Sequence, residues 1–325
     1  MRKKVCVVAG GAGFIGVNLV SALLDRNYNV VVGDDLSLGS FNNLVKHTVL
    51  DLQDCLQVDL SCSDGVEDFF NFAIEKYQNV DEVWHLAANS DIPAGIDNPR
   101  VDLKDTFLTT FFLLKASEKY SIKKFNFSSS SAVYGDWGQK ALKETLGPLK
   151  PISNYGAMKL ASEAQICAAA ESFLEEANIF RFPNVVGVPA THGVILDFFE
   201  KLKSDPSCLQ VLGDGNQKKS YLHVSELIDA MLFVSELNER SNRIEIVNIG
   251  CSDSGILVKD IAMMVKSLIA PTAEISYGSE DRGWVGDVPR FFYDTTYLKK
   301  MGWVPSLSSH KAVELAVKEI FKSFS

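Results

Sequence analysis

Several features that indicate particular classes of protein are absent from this sequence. The six cysteines are scattered between Cys6 and Cys251, and no two of them form a Cys-x-x-Cys pair. The histidines at positions 85, 192, 223 and 310 show no ligand spacing with cysteines or carboxylates. These patterns argue against a disulfide framework and against a zinc site. We therefore predict reduced thiols, a cytoplasmic location and no bound metal.

Basic blocks and long apolar runs are missing as well. The chain has 32 basic and 41 acidic residues, a formal net charge of -9. This balance argues against nucleic acids and anionic membranes as partners, and no apolar run is long enough to span a bilayer. The basic start, Met1–Lys4, precedes apolar residues as in a signal peptide, but glycines between Gly10 and Gly16 interrupt that pattern. We expect the start to belong to the mature protein.

What the sequence does contain is a regular alternation of short β-branched runs and longer helical patterns. The predicted strands are Val5–Val8, Asn29–Gly33, Leu56–Asp59, Glu82–Ala87, Lys124–Ser128 and Asn178–Phe182. The predicted helices of this half are Val17–Leu24, Val66–Tyr77, Leu103–Ser117 and a segment running on from Tyr155. Such alternation predicts an α/β fold with a doubly wound parallel sheet of the Rossmann type. Ligands bind such sheets at the carboxyl ends of the strands.

A glycine-rich loop follows the first predicted strand and precedes a predicted helix. In the spacing of Gly10, Gly13 and Gly16, the first glycine permits a tight turn and the second lets the backbone approach a pyrophosphate. The third allows close packing of helix on sheet, and the helix N-terminus faces the phosphates. Gly11 can replace Gly10 in the same pattern, so spacing alone leaves the register open. The loop predicts a dinucleotide cofactor.

Acidic residues at the strand ends indicate which dinucleotide is bound. Asp34 ends the second predicted strand, 18 residues beyond Gly16. A carboxylate there accepts hydrogen bonds from the adenosine ribose and repels a 2′-phosphate. No Arg or Lys lies within Gly33–Ser40, so the pattern favours NAD over NADP. Asp35 is either an alternative partner of the ribose or a solvated loop acid, and Asp59 either contacts the adenine edge or caps its strand.

After Pro183 the alternation becomes irregular. The predicted helices there are Val194–Lys203, Glu226–Leu237, Val258–Ile269 and Lys311–Phe321, with extended segments at Leu209–Leu212 and Ile244–Ile249. We predict that residues 1–182 and about 223–249 form the NAD-binding Rossmann domain. Residues of about 183–222 and 250–325 are predicted to form a smaller C-terminal lobe that binds the substrate.

A second motif carries the chemistry. Tyr155 and Lys159 are spaced i, i+4, so they share one face of a helix. We predict that the ammonium group of Lys159 and the positive nicotinamide ring lower the pKa of Tyr155, which makes the phenolate a general base toward a sugar or alcohol hydroxyl. A hydroxyl group from the run Ser128–Ser131 is expected to bind the same substrate oxygen. Chemistry alone does not choose among these serines.

These motifs together resemble the extended short-chain dehydrogenase/reductase family, in particular its NAD-dependent sugar-nucleotide epimerases of the UDP-glucose 4-epimerase type. The similarity extends from Val5 to Pro305. In the family, a Ser-x-x-Val-Tyr-Gly motif carries the catalytic hydroxyl, which implies that Ser130 completes the catalytic set with Tyr155 and Lys159. Motifs and resemblance together assign NAD binding to Gly10, Gly13, Phe14, Ile15, Gly16, Asp34, Asp35, Asp59, Leu60, Leu86, Ala87, Ala88, Ser128, Tyr155, Lys159 and Phe182.

The substrate that the resemblance implies is a nucleotide-diphosphate sugar. An acidic protein that binds such an anion must concentrate its few cations locally, and the candidates are Arg181, Lys218, Lys219, Arg282 and Arg290. The family motif Arg-x-x-Asn-x-x-Gly implies that Asn184 contacts the substrate phosphate. Lys219 replaces the usual Arg of the substrate lobe, and Arg282 lies two residues further from Gly286 than the usual phosphate-binding Arg. Phe291 falls near the position that gates sugar-ring size. The implied substrate-binding set is Ser130, Asn184, Lys219, Arg282 and Phe291.

Departures from the family pattern bear on the reaction. The 4,6-dehydratases of the family carry an Asp-Glu pair where this chain has Ser131 and Ala132, which argues against dehydration. We therefore expect 4-epimerisation through a transient 4-keto sugar, in polysaccharide biosynthesis. The alternatives are a nucleotide-sugar dehydrogenase or 4-keto-reductase with the same catalytic set, a 4,6-dehydratase whose acid lies elsewhere in the chain, and a non-catalytic NAD-binding scaffold. The resemblance also implies a homodimer, because relatives pair through two helices that correspond to Leu103–Ser117 and Tyr155–Ala170.

Overall fold

The structure is a computed structural model that describes residues 2–237, 242–280, 288 and 290–324. Its strands are β1 (Val5–Ala9), β2 (Asn29–Asp34), β3 (Cys55–Gln57), β4 (Glu82–His85), β5 (Lys124–Ser128), β6 (Ala141–Leu142), β7 (Glu176–Arg181), β8 (Asn184–Val186), β9 (Cys208–Val211), β10 (Lys218–Lys219), β11 (Tyr221–His223), β12 (Ile244–Asn248), β13 (Ile256–Leu257), β14 (Glu274–Tyr277) and β15 (Phe292–Tyr293).

The helices alternate with these strands. They are α1 (Phe14–Asp25), α2 (Phe41–His47), α3 (Ser63–Tyr77), α4 (Ile92–Asp97), α5 (Pro99–Val101), α6 (Thr109–Lys119), α7 (Asn154–Ser172), α8 (Val194–Ser204), α9 (Val224–Ser235), α10 (Val258–Ile269), α11 (Thr296–Met301) and α12 (Ser309–Phe324). A π-helical segment, Asp102–Leu108, joins α5 to α6, and short 3-10 turns occupy Leu52–Asp54 and Ser131–Val133.

A seven-stranded sheet has the order β12-β7-β5-β4-β1-β2-β3. Strands β1 to β5 and β7 pair in parallel, with Val7 opposite Val31 on one side and Val83 on the other. Every residue of β1 is buried, which is typical of a parallel strand that helices cover on both faces. The predicted doubly wound Rossmann architecture is confirmed, and the order reverses between β1 and β4, where such sheets bind ligands.

The chain divides into two compact units. The first unit comprises Met1–Val133, Ser153–Arg181 and Met231–Val247, and the second comprises Tyr134–Ile152, Phe182–Ala230 and Asn248–Ser325. The core of the first unit packs Phe69, Phe125 and Phe127 against the helices, and the core of the second packs Phe198 and Phe199 around α10 and α12. The predicted assignment of cofactor to one domain and substrate to another lobe stays a prediction.

Two strand predictions are wrong at their ends. The third strand ends at Gln57, so Asp59 lies beyond it, and the fourth ends at His85, so Ala87 lies in the following loop. Apolar residues continue past both ends because they line the carboxyl edge of the sheet, and this continuation extended the predicted strands too far. In the described part of the chain, no helix combines the length and apolar character needed to cross a membrane.

Candidate active site

The glycine loop connects β1 to α1 with little room for side chains. Gly10 has a φ of +79°, and a Cβ atom on it would lie 2.5 Å from the backbone nitrogen of Ala87. A Cβ atom on Gly16 would overlap the carbonyl oxygen of Gly10. By contrast, the only described atom near a Cβ on Gly13 is that same oxygen, at 3.6 Å. Gly10 thus makes the turn, Gly16 makes the packing contact, and Gly13 leaves open backbone, as a pyrophosphate requires.

The geometry of this loop fits a dinucleotide. Gly13 is the N-cap of α1, and its carbonyl oxygen accepts the first helical hydrogen bond, from Val17 N at 2.9 Å. The backbone N–H groups of the first turn therefore point toward the space above Gly13, where the helix dipole favours an anion. The first turn carries no acidic side chain that would compete for this place.

Asp34 is tied to the glycine loop by its own carboxylate. Its Oδ2 accepts a hydrogen bond from Ala12 N at 2.9 Å, and its Oδ1 accepts one from Leu36 N at 2.9 Å. Burial raises the pKa of Asp34, while these two backbone hydrogen bonds act in the opposite direction. A carboxylate has about four acceptor sites, so Asp34 keeps capacity for a ribose. Asp35 is exposed and closes its own turn through Ser37, as a solvated loop acid does.

Asp59 lies just past β3 and has two partners. Its Oδ1 accepts hydrogen bonds from the backbone and hydroxyl groups of Ser61, and its Oδ2 lies 3.0 Å from Lys104 Nζ. Asp59 therefore caps the turn after the strand, which is one of the two predicted alternatives; contact with adenine stays a prediction. Lys104 is a cation near this edge of the site that the sequence pattern did not reveal, because it lies 45 residues further along the chain.

Ser130, Tyr155 and Lys159 come together beyond the carboxyl end of β5. Helix α7 begins at Asn154 because Ser153 caps it, its hydroxyl oxygen accepting a hydrogen bond from Gly156 N at 3.1 Å. The Ser130 side chain lies close enough to Tyr155 to lower the pKa of its phenol. Lys159 Nζ donates to the carbonyl oxygen of Ser128 at 2.6 Å and lies 5.8 Å from the centre of the Tyr155 ring. The three residues that the sequence assigned to catalysis are therefore neighbours.

Burial shifts both Tyr155 and Lys159 toward their neutral forms. Burial raises the pKa of Tyr155 to about 12, with the hydrogen bond to Ser130 opposing the shift and the charge of Asp102 adding to it. Burial also lowers the pKa of Lys159, which is 1% exposed, to about 7, while Glu163 acts in the opposite direction. Lys159 is not among the groups that shift the pKa of Tyr155 here, and the predicted combined effect of Lys159 and the nicotinamide ring stays a prediction.

A buried ion pair supports the catalytic group from the protein interior. Glu163 lies one helical turn after Lys159 and accepts two hydrogen bonds from Arg181, at 2.9 Å and 2.6 Å. Its Oε1 also accepts a hydrogen bond from the hydroxyl group of Ser129, whose backbone N–H donates to Phe180 O at 2.8 Å. Both Glu163 and Arg181 are 3% exposed. Arg181 is thus committed to Glu163, and its candidacy as a free substrate-binding cation is wrong.

The structure places His85 in a second buried network. Its Nε2 shares a hydrogen bond of 2.8 Å with Thr110 Oγ1, and that hydroxyl donates to Ser162 Oγ at 2.9 Å. Burial, together with the charge of Lys159, holds the pKa of His85 well below its usual value. A neutral imidazole packed at the strand end agrees with a structural role. Among the described residues, no group of three or more metal-ligating side chains occurs.

The remaining residues predicted to bind the cofactor lie at the start of α1, at strand ends or in the segments that follow strands. Leu60 and Phe182 are buried, Ser128 ends β5 and is also buried, and Leu86 and Ala87 donate backbone hydrogen bonds to Ala9 O at 2.8 Å and 2.9 Å. These two bonds hold the start of the loop after β4 against the end of β1. Phe14 and Ile15 begin α1, and Ala88 follows Ala87 in the loop.

The predicted substrate residues of the second unit lie on its short strands. Asn184 is exposed on β8, opposite Tyr221 of β11, whereas Lys219 is 7% exposed on β10, opposite Ile256. Phe291 is buried edge-to-face against Tyr293, with ring centres 5.9 Å apart. Arg282 and the Gly286 motif lie outside the described residues.

Two further candidate cations, Lys218 and Arg290, and the two positions at which 4,6-dehydratases carry acids lie among the described residues. Lys218 Nζ donates to Ser254 Oγ at 2.8 Å, and Lys218 also forms a backbone bridge with Arg290. Ser131 and Ala132 lie in the short 3-10 turn after Ser130, and Ala132 N donates to Ser130 Oγ at 3.2 Å. This turn aims a backbone N–H at the serine and brings no carboxylate there.

Known proteins are similar to this chain in sequence and in fold. A Methanocaldococcus jannaschii protein with the provisional name UDP-glucose 4-epimerase is 30% identical over 316 residues, which cover 96% of each chain. A crystal structure of a UDP-galactose 4-epimerase is 31% identical, with a TM-score of 0.84 and coverage of 99% of this chain and 100% of the other. A Thermus thermophilus UDP-glucose 4-epimerase in complex with NAD is 27% identical, with a TM-score of 0.82 and coverage of 98% and 99%.

A family assignment follows from the sequence as a whole. Residues 6–250 match the NAD dependent epimerase/dehydratase family, and this span includes the glycine loop and the Tyr155–Lys159 pair. The predicted resemblance to extended short-chain dehydrogenases and the predicted cofactor, NAD, are confirmed at the level of the family. The family match over residues 6–250, the seven-stranded sheet and the similar structures together show that the chain belongs to the NAD dependent epimerase/dehydratase family.

Proposed function

We propose that this protein epimerises a nucleotide-diphosphate sugar at carbon 4 by transient oxidation to the 4-keto sugar. The observation that carries the proposal is the meeting of Ser130, Tyr155 and Lys159 at the carboxyl edge of the sheet that also bears the glycine loop. Relatives and similar structures named as UDP-sugar 4-epimerases, matched over nearly the whole chain, support the same reaction.

In this proposal NAD is held by the loop of Gly10, Gly13 and Gly16 and by the carboxylate of Asp34. When bound, NAD supplies a positively charged ring that accepts a hydride from the sugar and favours the phenolate form of a nearby tyrosine. Lys159, fixed by Ser128 O, contributes a donor beside Tyr155.

The proton steps belong to Tyr155 and Ser130. Tyr155 accepts the proton of the 4-hydroxyl group as general base, while Ser130 binds the same oxygen by a hydrogen bond. After the keto sugar turns over in the site, its carbon 4 takes the hydride back on the other face, and Tyr155 returns the proton to that oxygen as general acid. Because the same phenol gives and takes one proton, no other acid is needed. The absence of carboxylates at Ser131 and Ala132 fits this scheme, since elimination of water requires an additional acid and base.

The substrate side of the proposal rests on the second unit. We propose that Asn184, Lys219, Arg282 and Phe291 contribute to the nucleotide-diphosphate sugar site, with Lys219 supplying positive charge. We also propose that the protein is a homodimer. Helix α7 is apolar on more than one face, and Leu103 before α6 and Phe111 within it leave apolar surface exposed or half-buried.

The proposal is tested by incubating purified protein with UDP-glucose or UDP-galactose and resolving the stereoisomers by chromatography. We expect UDP-glucose and UDP-galactose to interconvert without net reduction of added NAD. Tyr155→Phe should lower kcat by about 100-fold to 10,000-fold, the usual range for loss of a general acid–base group. Tyr120→Phe is the matched control, because Tyr120 lies on the surface with Asn71 and should leave kcat unchanged.

Two results would contradict the proposal. One is the absence of any stereoisomer with UDP- and GDP-hexoses while added NAD is reduced stoichiometrically, which would indicate a dehydrogenase. The other is full activity of Tyr155→Phe.

A further inference from the structure

The carboxyl group of Asp102 is buried without a full set of partners. Its exposed fraction is 0%, and its Oδ1 accepts a hydrogen bond from Asn89 Nδ2 at 2.9 Å. Its Oδ2 has no hydrogen-bond partner among the described residues. A buried carboxylate oxygen without a donor is energetically costly, and native proteins retain few such groups unless they serve a purpose. Asp102 begins the π-helical segment Asp102–Leu108, a type of helix that is frequent at functional sites.

The surroundings hold this carboxyl group in one place. A Cβ atom on Gly95 of α4 would overlap Asp102 Oδ2, so α4 passes directly over the carboxylate. On the other side, Asn89 is itself fixed, because its backbone N–H donates to Thr106 Oγ1 at 3.2 Å and its Oδ1 accepts from Asp91 N at 3.0 Å. The charge therefore has little freedom to move toward solvent.

The same stretch of α4 connects Asp102 to the catalytic helix. The carbonyl oxygen of Gly95 accepts a hydrogen bond from Asn154 Nδ2 at 2.9 Å. Asn154 is the first residue of α7 and immediately precedes Tyr155. One residue of α4 thus touches the Asp102 carboxylate and also holds the start of the helix that carries the phenol.

We propose that Asp102 is a charge-tuning residue for Tyr155, acting across Gly95 and Asn154, and that it sets the pH range in which the phenol works. This inference rests on the proposed function of Tyr155 as the general acid and base. Asp102 touches neither substrate nor cofactor in this scheme. It acts through the field of its carboxylate, which favours the protonated phenol and therefore the return of the proton to the sugar.

The charges around both groups are consistent with this role. The groups near Tyr155 are the Ser130 hydroxyl and the Lys159 amine, and the charge of Asp102 raises its pKa. Burial raises the pKa of Asp102, the hydrogen bond from Asn89 opposes the shift, and the charges of Asp105 and Asp91 add to it. An acid whose pKa is raised on folding stabilises the fold only while it is protonated, at low pH. At neutral pH the charge of Asp102 therefore costs stability.

The experiment compares wild type with Asp102→Asn, which keeps the shape and the acceptor for Asn89 but removes the charge. The acid limb of the pH profile of kcat/KM for the nucleotide sugar should move down by about half a pH unit or more. One pH unit below the wild-type limb, kcat/KM should rise about threefold, as half a unit implies for a single titration. Asp105→Asn is the matched control, because it lies on the same segment, half-buried beside Lys104, and should not move the limb.

A readout independent of turnover follows the phenol directly. In NAD-bound protein carrying ¹³Cζ-labelled tyrosine, the Tyr155 resonance is assigned by its loss in Tyr155→Phe. We expect its titration midpoint to fall in Asp102→Asn, and in wild type we expect an inflection at the pH where Asp102 titrates. The wild-type inflection keeps the test decisive even where a variant folds poorly.

The outcomes separate the two proposals. A lower Tyr155 midpoint without any sugar turnover supports this inference and overturns the proposed reaction. Turnover with an unmoved limb, an unmoved midpoint and no wild-type inflection overturns this inference and leaves the reaction standing. A shift of equal size in Asp105→Asn also overturns it, because the effect would then reflect net charge rather than the placement of Asp102.

Discussion

At the scale of single residues, burial dominates the chemistry of the candidate site. Tyr155 and Lys159 both lie in surroundings that disfavour charge, so each is shifted toward its neutral form. A neutral pair can exchange a proton with substrate without carrying a permanent ion in the interior. Activation then depends on charges that enter with ligands, and on fixed charges such as those of Glu163 and Asp102.

Glu163→Gln tests the fixed charge on the buried side of the catalytic helix α7. This change leaves Arg181 without its carboxylate partner, and breaking a buried pair on one side destabilises by about 3–5 kcal/mol. Glu67→Gln is the control, because it breaks the exposed pair with Lys119, and such pairs contribute about 0–1 kcal/mol. The measurement is the free energy of unfolding from urea titration at neutral pH. Similar small losses for both variants would contradict the structural role assigned to Glu163.

Residue prediction from sequence succeeded where local spacing decides and failed where tertiary contacts decide. The i, i+4 spacing placed Tyr155 and Lys159 together because a helix fixes both. Ser130 came from the resemblance alone, since its neighbours have the same hydroxyl. Glu163 also stands i, i+4 from Lys159, yet its partner Arg181 lies on another element, so no local pattern revealed the pair.

At the scale of elements, two glycines at the junction of β1 and α1 serve different purposes, one in folding and the other in binding. A side chain at Gly16 would overlap the backbone of Gly10 and Gly11, whereas a Cβ atom at Gly13 would make only an ordinary contact of 3.6 Å with Gly10 O. The fold therefore requires glycine at position 16. At position 13, only an approaching ligand requires the absence of a side chain.

The paired variants Gly13→Ala and Gly16→Ala make this distinction measurable. Gly13 has a φ of -76° that alanine adopts freely, so Gly13→Ala should unfold at nearly the wild-type temperature. Its affinity for NAD should fall by about tenfold or more, because a methyl group then lies where the pyrophosphate approaches. Gly16→Ala should lose about 1–3 kcal/mol of stability, as overpacked sites do. Calorimetry gives both quantities, and unchanged NAD affinity in Gly13→Ala would argue against a pyrophosphate at this place.

Element boundaries show where periodicity stops being informative. The predictions for β5 and α10 match the structure at both ends. The segment Asp102–Leu108 has the apolar spacing of an ordinary helix, but it is π-helical. In this segment the buried side chains of Asp102 and Thr106 accept hydrogen bonds from Asn89, which lies outside it. The apolar periodicity of the segment does not predict these contacts.

At the scale of the whole molecule, the parallel sheet of the first unit follows from alternating strands and helices, and that unit was largely predictable on this ground. The second unit was less so, because its strands of two to four residues carry little periodic signal. Arg282, on which the predicted diphosphate site partly depends, lies outside the described residues and stays a prediction.

The proposed homodimer is a prediction at this scale. Light scattering should give about twice the 35.8 kDa of one chain. Phe111→Lys should return the mass to that of one chain, because a charge on a paired apolar helix face opposes burial. Val49→Lys is the control, since Val49 is 89% exposed and lies away from α6 and α7 in sequence. A single-chain mass for the wild type would exclude the dimer.

The overlap between a Gly95 methyl group and the Asp102 carboxylate has a consequence for how the chain can diverge. A side chain at position 95 would meet that carboxylate, so it is accommodated only if the side chain at position 102 moves or is replaced by a shorter one. Substitutions at positions 95 and 102 are therefore expected to be coupled.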